Sequence, residues 1–336
     1  MKIGFNNTIK LLFGLTIGLI LMLLWAKLIN VGELLRYISE VRVIFVLPAI
    51  SFYLLSYFLR SERLRKLLSH KAHIPVFRNY TYVLAGNFLN YFIPIRAGEI
   101  AKCIFYKKNH QMSYADSLPS IFIHKLFDTF AIFFVLLLIP FSGVVLSAYL
   151  NALLILLIIV FLLGVSILII TSANEDYLVK ILKSIFFFLP EKYKDKINAF
   201  IHLFVQGLAI FKHHKKLFIP CIVLTFTATL SDSLFFYLMF SAFEIEISFL
   251  KVLFGYTLIF LSYVIPHPPA QIGSNQFIMI LIFSIGLGYN ENLVSAVMSF
   301  THLSTLIVIL ITGTFSLYYA GTKFIDIIKK KEPEDG

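Results

Sequence analysis

Charged residues are scarce in this chain, and three long stretches contain none. Only 14% of the 336 residues are Asp, Glu, Lys or Arg, whereas soluble domains average about 25%. The charge-free stretches are 129–174, 252–290 and 292–322. A membrane-spanning helix needs about 20 apolar residues, and each stretch exceeds that length. This pattern excludes an ordinary soluble protein and predicts an all-α polytopic integral membrane protein.

Cysteine is also rare, and other chemical signatures are missing. Cys103 and Cys221 both lie in or beside apolar sequence, which favours buried thiols over a disulfide. The sequence contains no Cys/His spacing of a metal site, no phosphate-cradling glycine loop and no nucleophile elbow. We therefore expect no metal site, no cofactor and no soluble catalytic domain.

The net charge of +11 is carried by segments between the apolar runs. Basic residues cluster in 60–79, in 175–216 and at 329–331. Lys and Arg concentrate in cytoplasmic loops of membrane proteins, where they meet anionic lipid headgroups. The charge pattern therefore indicates a cell-membrane protein with both termini in the cytosol, and it does not indicate a nucleic-acid partner.

Nine apolar segments can be read along the chain, and their charged flanks suggest a topology. They are 11–26, 43–59, 80–95, 114–140, 147–171, 217–243, 250–265, 276–288 and 293–320. If the basic segments are cytosolic, segment 80–106 must enter and leave the membrane from the cytosolic side, and segment 250–288 must enter and leave it from outside. We predict one membrane domain over 1–322, with about six full spans plus two re-entrant broken-helix hairpins. A cytosolic amphipathic segment at 172–216 and a charged cytosolic tail at 323–336 complete the prediction.

Each predicted hairpin contains a break rich in proline and glycine. Proline cannot continue a helix, and glycine permits unusual backbone angles. The predicted hinge residues are Pro94, Gly98, Pro266, Pro268, Pro269 and Gly273. Inverted repeats with broken helices are typical of secondary transporters. The two breaks suggest such a repeat, with chance similarity as the alternative.

Charged residues directly follow the first break, where Arg96, Glu99 and Lys102 lie between apolar segments. An ionisable group near the bilayer centre costs about 2.5–3.5 kcal/mol, so it is normally paired or faces a polar cavity. We expect these residues, with Asn87 and Asn90 before them, to line a transport site. The alternative is a helix that simply begins at the cytosolic membrane surface.

A second polar group lies within segment 114–140 and comprises His124, Lys125 and Asp128. Lys125 and Asp128 are three residues apart and therefore share a helix face. They are expected either to form a buried ion pair or to join Arg96 and Glu99 in a network that receives a phosphate.

A third polar group follows the second break and comprises Gln271, Asn275 and Gln276. The amides at a helix N-terminus favour an anionic ligand, so this group is a second candidate substrate contact. A purely structural turn is the alternative.

Isolated ionisable residues inside apolar segments are candidates for ion coupling. They are Glu99, His124, Asp232 and His302. A buried carboxyl such as Asp232 should be paired or protonated, so a hydrogen bond through the neutral acid is the alternative to proton coupling. For His302 the alternative is an ordinary hydrogen-bonded interior histidine.

These residues resemble the motifs of the flippase-like membrane-domain family typified by the transmembrane half of lysylphosphatidylglycerol synthetase, the multiple peptide resistance factor. The first motif, an Asn followed by Pro-x-Arg-x-Gly-Glu, is present at Asn90 and at 94–99. The second, Glu-Arg-x-x-Asp, appears as His-Lys-x-x-Asp at 124–128. The third, Gly-Gly-x-Gly-x-x-Glu after prolines, appears as Ala-Gln-x-Gly-x-x-Gln at 270–276.

The resemblance implies a flippase that moves an anionic phospholipid or a polyprenyl-phosphate-linked glycan between leaflets. Its partners would be that lipid and a lipid synthase or glycosyltransferase, and lysyl transfer is not expected of this chain. From the residues and the motifs together, the predicted substrate-binding residues are Asn87, Asn90, Arg96, Glu99, Lys102, Lys125, Asp128, Gln271, Asn275 and Gln276. One alternative is a polytopic glycosyltransferase with Glu33 or Glu40 as general base. Another is a non-transporting partner of a synthase.

Overall fold

The structure is a computed structural model, and it describes residues 16, 20, 22–27, 29–93, 97–141, 143–171, 198–199, 203, 214–263 and 267–321. All regular secondary structure in these ranges is helical and no strand occurs in them, so the predicted all-α fold is confirmed. The helices are α1 (Val31–Ser39), α2 (Val46–Leu68), α3 (Val76–Phe92), α4 (Ala97–His110), α5 (Tyr114–Leu138), α6 (Ala148–Thr171), α7 (Phe218–Ala242), α8 (Phe249–Ser262), α9 (Ser274–Met279) and α10 (Glu291–Tyr319). A π-helical stretch, Ile280–Gly286, continues α9.

Within these ranges, four helical stretches are long and apolar enough to cross a membrane. They are Val43–Leu68, Tyr114–Phe141, Lys215–Ala242 and Glu291–Tyr319. Shorter apolar helices occupy Ala148–Leu163, Phe249–Ser262 and Ser274–Gly286. The predicted count of about six full spans stays a prediction, because most of segment 11–26 lies outside the described residues.

Helices α2 and α7 form a central antiparallel pair along their whole length. At one end, the Arg42 amide donates to the Ala242 carbonyl over 2.9 Å, and the Arg42 side chain pairs with Glu244. At the other end, the rings of His70 and His214 are 5.1 Å apart. The pair therefore provides a fixed axis against which the other helices pack.

Helices α3 and α4 fold back on each other as the first hairpin. A Cβ atom on Gly98 would fall on the carbonyl oxygen of Gly86, so the two backbones are in direct contact. Further along, the Tyr106 hydroxyl donates to Asn79 Oδ1 over 2.7 Å. Small residues at a helix crossing permit such close approach, and Gly86 and Gly98 are the small residues at this crossing.

Helices α8 and α9, with the π-helical stretch, form the second hairpin. Gly255 accommodates the ring of Phe283, with which any added Cβ would collide. Between the helices, Ala270 (φ 55°), Gln271 (φ 58°) and Gly273 (φ 79°) occupy the left-handed region. That conformation is unfavourable for residues other than glycine, so surrounding contacts must hold the break in place.

The helix that follows each hairpin packs on the other hairpin. Helix α10 follows the second hairpin and packs on α3, whereas α5 follows the first hairpin and packs on α8. The turn Pro269–Gln271 of the second break also packs on α3. This crossed packing joins the two hairpins, and the inverted repeat stays a prediction.

Some predicted features fall outside the described residues. They are Pro94 and Arg96 in the first break, Pro266 in the second, most of segment 172–216, and the tail at 323–336. Of the other predicted hinge residues, Pro268 and Pro269 lead into the left-handed turn.

Topology can be tested at the two ends of the central helix pair. Ser69 and Glu246 are exposed at opposite ends of that pair. Single cysteines at these positions should react with a membrane-impermeant maleimide from opposite sides, position 69 from the cytosol and position 246 from outside. The unsubstituted chain is the control, because Cys103 and Cys221 are buried and should stay unlabelled. Labelling of position 69 from outside would contradict the predicted orientation.

Candidate functional site at the two breaks

The side chain of Asn90 organises the residues after the first break. Its Oδ1 accepts the Gly98 amide over 2.8 Å, and its Nδ2 donates to Glu99 Oε1 over 3.1 Å. The amide at the start of α4 needs an acceptor because it has no partner within the helix. Asn90 meets that need and at the same time orients Glu99, as expected for a motif that joins Asn90 to Gly98 and Glu99.

Glu99 lies between two lysines. Lys102 Nζ is 2.5 Å from Glu99 Oε2, and Lys125 Nζ is 3.5 Å from Glu99 Oε1. The Lys102 side chain is only 4% exposed, whereas that of Lys125 is 44% exposed. The structure thus brings the first-break residues together with Lys125 of α5. We call Asn90, Glu99, Lys102 and Lys125 the first-break cluster.

The expected pair between Lys125 and Asp128 is wrong. Asp128 Oδ1 accepts from Arg63 Nη2 over 2.8 Å and from Arg60 Nε over 3.3 Å. Although Lys125 and Asp128 are three residues apart, Lys125 extends to α4 while Asp128 points at α2. Asp128 is buried within the ion pairs of the scaffold rather than placed in the first-break cluster.

Asp232 belongs to the same buried cluster as Asp128. Its Oδ2 lies 2.6 Å from Arg60 Nη2 and accepts the Tyr256 hydroxyl over 2.5 Å. The bond expected through a neutral acid is replaced here by a charged pair with an arginine. Together Arg60, Arg63, Asp128 and Asp232 form what we call the central ion cluster, which joins α2, α5 and α7.

His124 is also tied to the central ion cluster. Arg63 Nε donates to His124 Nδ1 over 3.1 Å, and Arg63 Nη2 donates to the His124 carbonyl over 2.9 Å. Arg63 Nη1 donates to Thr225 Oγ1 over 2.8 Å. His124 is therefore an acceptor for a buried guanidinium, a structural role that the expectation of ion coupling did not include.

Sequence reasoning missed both arginines because it assigned 60–79 to a cytosolic loop. Helix α2 instead continues to Leu68, nine residues beyond the predicted end at 59. Arg60, Arg63, Leu64 and Leu67 are all buried. Their spacing of three and four residues is that of one helix face, and this periodicity was the available signal.

The polar residues of the second break mostly bond to one another. Gln276 Oε1 accepts the Gly273 amide over 3.0 Å, and Asn275 Nδ2 donates to Gln271 Oε1 over 2.9 Å. His302 Nε2 contacts the Ala270 carbonyl over 2.7 Å and therefore carries the proton. His302 Nδ1 then accepts from Gln276 Nε2 over 3.1 Å. These bonds hold the left-handed turn, as the structural alternative proposed.

The two breaks meet in the folded chain. Tyr91, at the end of α3, packs with Ala270 of the second break and with Ile309 of α10. The rings of Tyr91 and His302 are 6.0 Å apart. Next to them, the Tyr57 hydroxyl donates to Asn87 Oδ1 over 2.8 Å. Asn87 therefore lies beside this junction and bonds to Tyr57, whereas Asn90 bonds to Gly98 and Glu99.

Comparison with known proteins identifies a family. A family model described as "Lysylphosphatidylglycerol synthase TM region" matches residues 10–313, which include both hairpins and the helices that carry the two clusters. No curated protein and no solved structure matches.

The pairing of Asp128 can be tested by double-mutant cycles. Removing one partner of a buried ion pair typically costs about 3–5 kcal/mol, because the other charge is left unpaired. Asp128→Ala should therefore greatly lower the melting temperature in detergent. Its effect should be strongly non-additive with Arg63→Ala and additive with Lys125→Ala. A strongly non-additive effect of Asp128→Ala and Lys125→Ala would instead favour the pair expected from the sequence.

Proposed function

The chain belongs to the Lysylphosphatidylglycerol synthase TM region family, and on that premise we propose that it moves a lipid with an anionic headgroup between membrane leaflets. The lipid is an anionic phospholipid or a polyprenyl-phosphate-linked glycan. Phosphate is the group that both classes share, and the first-break cluster is the proposed place where it binds.

Charge balance is the observation that supports this proposal. The first-break cluster contains one carboxylate, Glu99, and two lysines, so one positive charge is left over. Ionisable groups in a membrane protein are normally neutralised by a partner. The ammonium of Lys125 is the accessible member, since its side chain is 44% exposed. A ligand phosphate there would complete the pairing, and the neighbouring sequence motif contributes a further cation, Arg96.

The central ion cluster provides the contrast. It contains two arginines and two aspartates, all buried, so its formal charges cancel. A neutral, inaccessible set of this kind serves as scaffold and leaves no charge for a ligand. We therefore assign ligand binding to the cluster with the surplus cation and a structural role to Asp128 and Asp232.

A polar headgroup needs a path through the protein to cross the membrane, and we propose that this path opens between the two breaks. Broken helices offer backbone groups and hinges at the depth where a substrate crosses. Among the candidates for coupling, Glu99 keeps that role in our proposal. Asp232 and His124 bond to buried arginines, and His302 holds the second turn.

The glycosyltransferase alternative requires Glu33 or Glu40 as general base, and the contacts of these two residues do not favour that role. Glu33 Oε2 accepts from Asn292 Nδ2 over 2.6 Å, which ties α1 to the start of α10. Glu40 lies 3.9 Å from Arg36 in an exposed pair. Neither residue is placed as a free base beside a cationic phosphate site, so transport is the better interpretation.

Transport can be measured in liposomes with a fluorescent phosphatidylglycerol that dithionite quenches only in the outer leaflet. Lys125→Gln should slow flipping by roughly tenfold or more, since a charge-assisted bond contributes about 1.5–3 kcal/mol. Arg96→Lys should also impair it, because an ammonium cannot bind phosphate through two parallel hydrogen bonds. The matched control is Lys216→Gln, which removes an exposed lysine in the turn that precedes α7.

Unchanged flipping in both Lys125→Gln and Arg96→Lys would contradict the proposed binding role. If the unsubstituted chain binds the lipid without flipping it, the non-transporting alternative is favoured. The same assay with a polyprenyl-phosphate sugar distinguishes the second lipid class, and sugar transfer to an acceptor in that assay would favour the enzyme.

A further inference from the structure

An uncharged polar region lies where the two breaks meet, and its residue Tyr91 directly follows Asn90 of the first-break cluster in α3. Its side chains come from α2, α3 and the start of α9. The Tyr57 hydroxyl donates to Asn87 Oδ1 over 2.8 Å, and Asn87 Nδ2 donates to the Tyr53 hydroxyl over 3.4 Å. Tyr53, Tyr57 and Asn87 each keep some accessible surface. Accessible polar side chains inside a membrane protein indicate space for a polar occupant.

Two buried polar atoms in this region have no hydrogen-bond partner among the described residues. They are the hydroxyl oxygen of Tyr91 and Oδ1 of Asn275. Tyr91 is 9% exposed and Asn275 is 4% exposed, so bulk water does not serve them. Buried polar atoms are nearly always bonded. One of these atoms belongs to each break, which points to a ligand held between the breaks.

The phenol groups of this region converge. The rings of Tyr53 and Tyr57 meet edge to face with their centroids 5.1 Å apart, and Tyr53 packs against the group formed by Tyr91, Ala270 and Ile309. Phenol and carboxamide groups can each donate and accept hydrogen bonds, and aromatic rings add flat apolar faces. None of these groups is acidic, and the nearby carboxylate of Asp232 is already paired with Arg60, so it is not free to serve as counter-ion to an amino headgroup.

We infer that this region is a carbohydrate subsite, which holds the sugar of a polyprenyl-phosphate-linked glycan while the first-break cluster holds its phosphate. The inference rests on the proposed transport function and selects one of its two lipid classes. Sugar hydroxyls match neutral donors and acceptors, and the apolar face of a sugar ring matches a tyrosine ring. An aminoacylated or other cationic headgroup would instead require a carboxylate that is not already paired with an arginine.

The purified full chain in detergent can test this by thermal shift with two probes, undecaprenyl phosphate and undecaprenyl-phosphate glucose. The unsubstituted chain should bind the glycosylated probe about three- to tenfold more tightly, which is the effect of one or two neutral hydrogen bonds. Tyr91→Phe should lose much of that preference and bind undecaprenyl phosphate as before. Its melting temperature without ligand should not fall, because the hydroxyl has no partner among the described residues.

Tyr106→Phe is the matched control, because its hydroxyl donates to Asn79 within the same hairpin. It should lower the melting temperature and keep the preference for the sugar. Equal binding of both probes, or an undiminished preference in Tyr91→Phe, would overturn the carbohydrate subsite alone. If neither probe binds but the fluorescent phosphatidylglycerol is flipped, transport stands and this subsite is refuted. Failure of binding and of flipping would refute both.

Discussion

The fold depends on four charges buried in its interior. Arg60 and Arg63 on α2 bind Asp128 of α5 and Asp232 of α7. The hydroxyl of Tyr256 in α8 donates to Asp232, which also pairs with Arg60. Desolvating such charges is costly, so a buried ion pair is poor evidence for stability but can specify one arrangement of helices. Here it fixes the register of the central pair and the position of the helix that follows the first hairpin.

With that frame fixed, the two hairpins are held with their breaks in contact. The first-break cluster contains one more cation than carboxylate, while the second break is closed by bonds among Gly273, Gln276 and His302. These two breaks therefore differ in chemistry despite their similar placement. The proposed ligand, with an anionic phosphate next to a neutral sugar, requires such a difference.

Apolar runs predicted most helices to within a few residues, because helix length and hydropathy are local properties. The motif at Asn90, Gly98 and Glu99 was also recognisable, since its members bond to one another. The partner of Asp128 was not, because Arg63 is 65 residues away in sequence and lay in a segment whose charge suggested a loop. The contact between Tyr91 and the second break likewise depends on tertiary packing.

The central claim is that a lipid headgroup passes where the breaks meet, and cross-linking tests it most directly. Cysteines at Tyr91 and Ala270, which pack together, would be introduced after the two native cysteines are replaced by alanine. A short reducible cross-linker should join them, stop flipping of the fluorescent phosphatidylglycerol in liposomes, and release it again on reduction. Flipping at the uncross-linked rate by fully cross-linked protein would contradict the account.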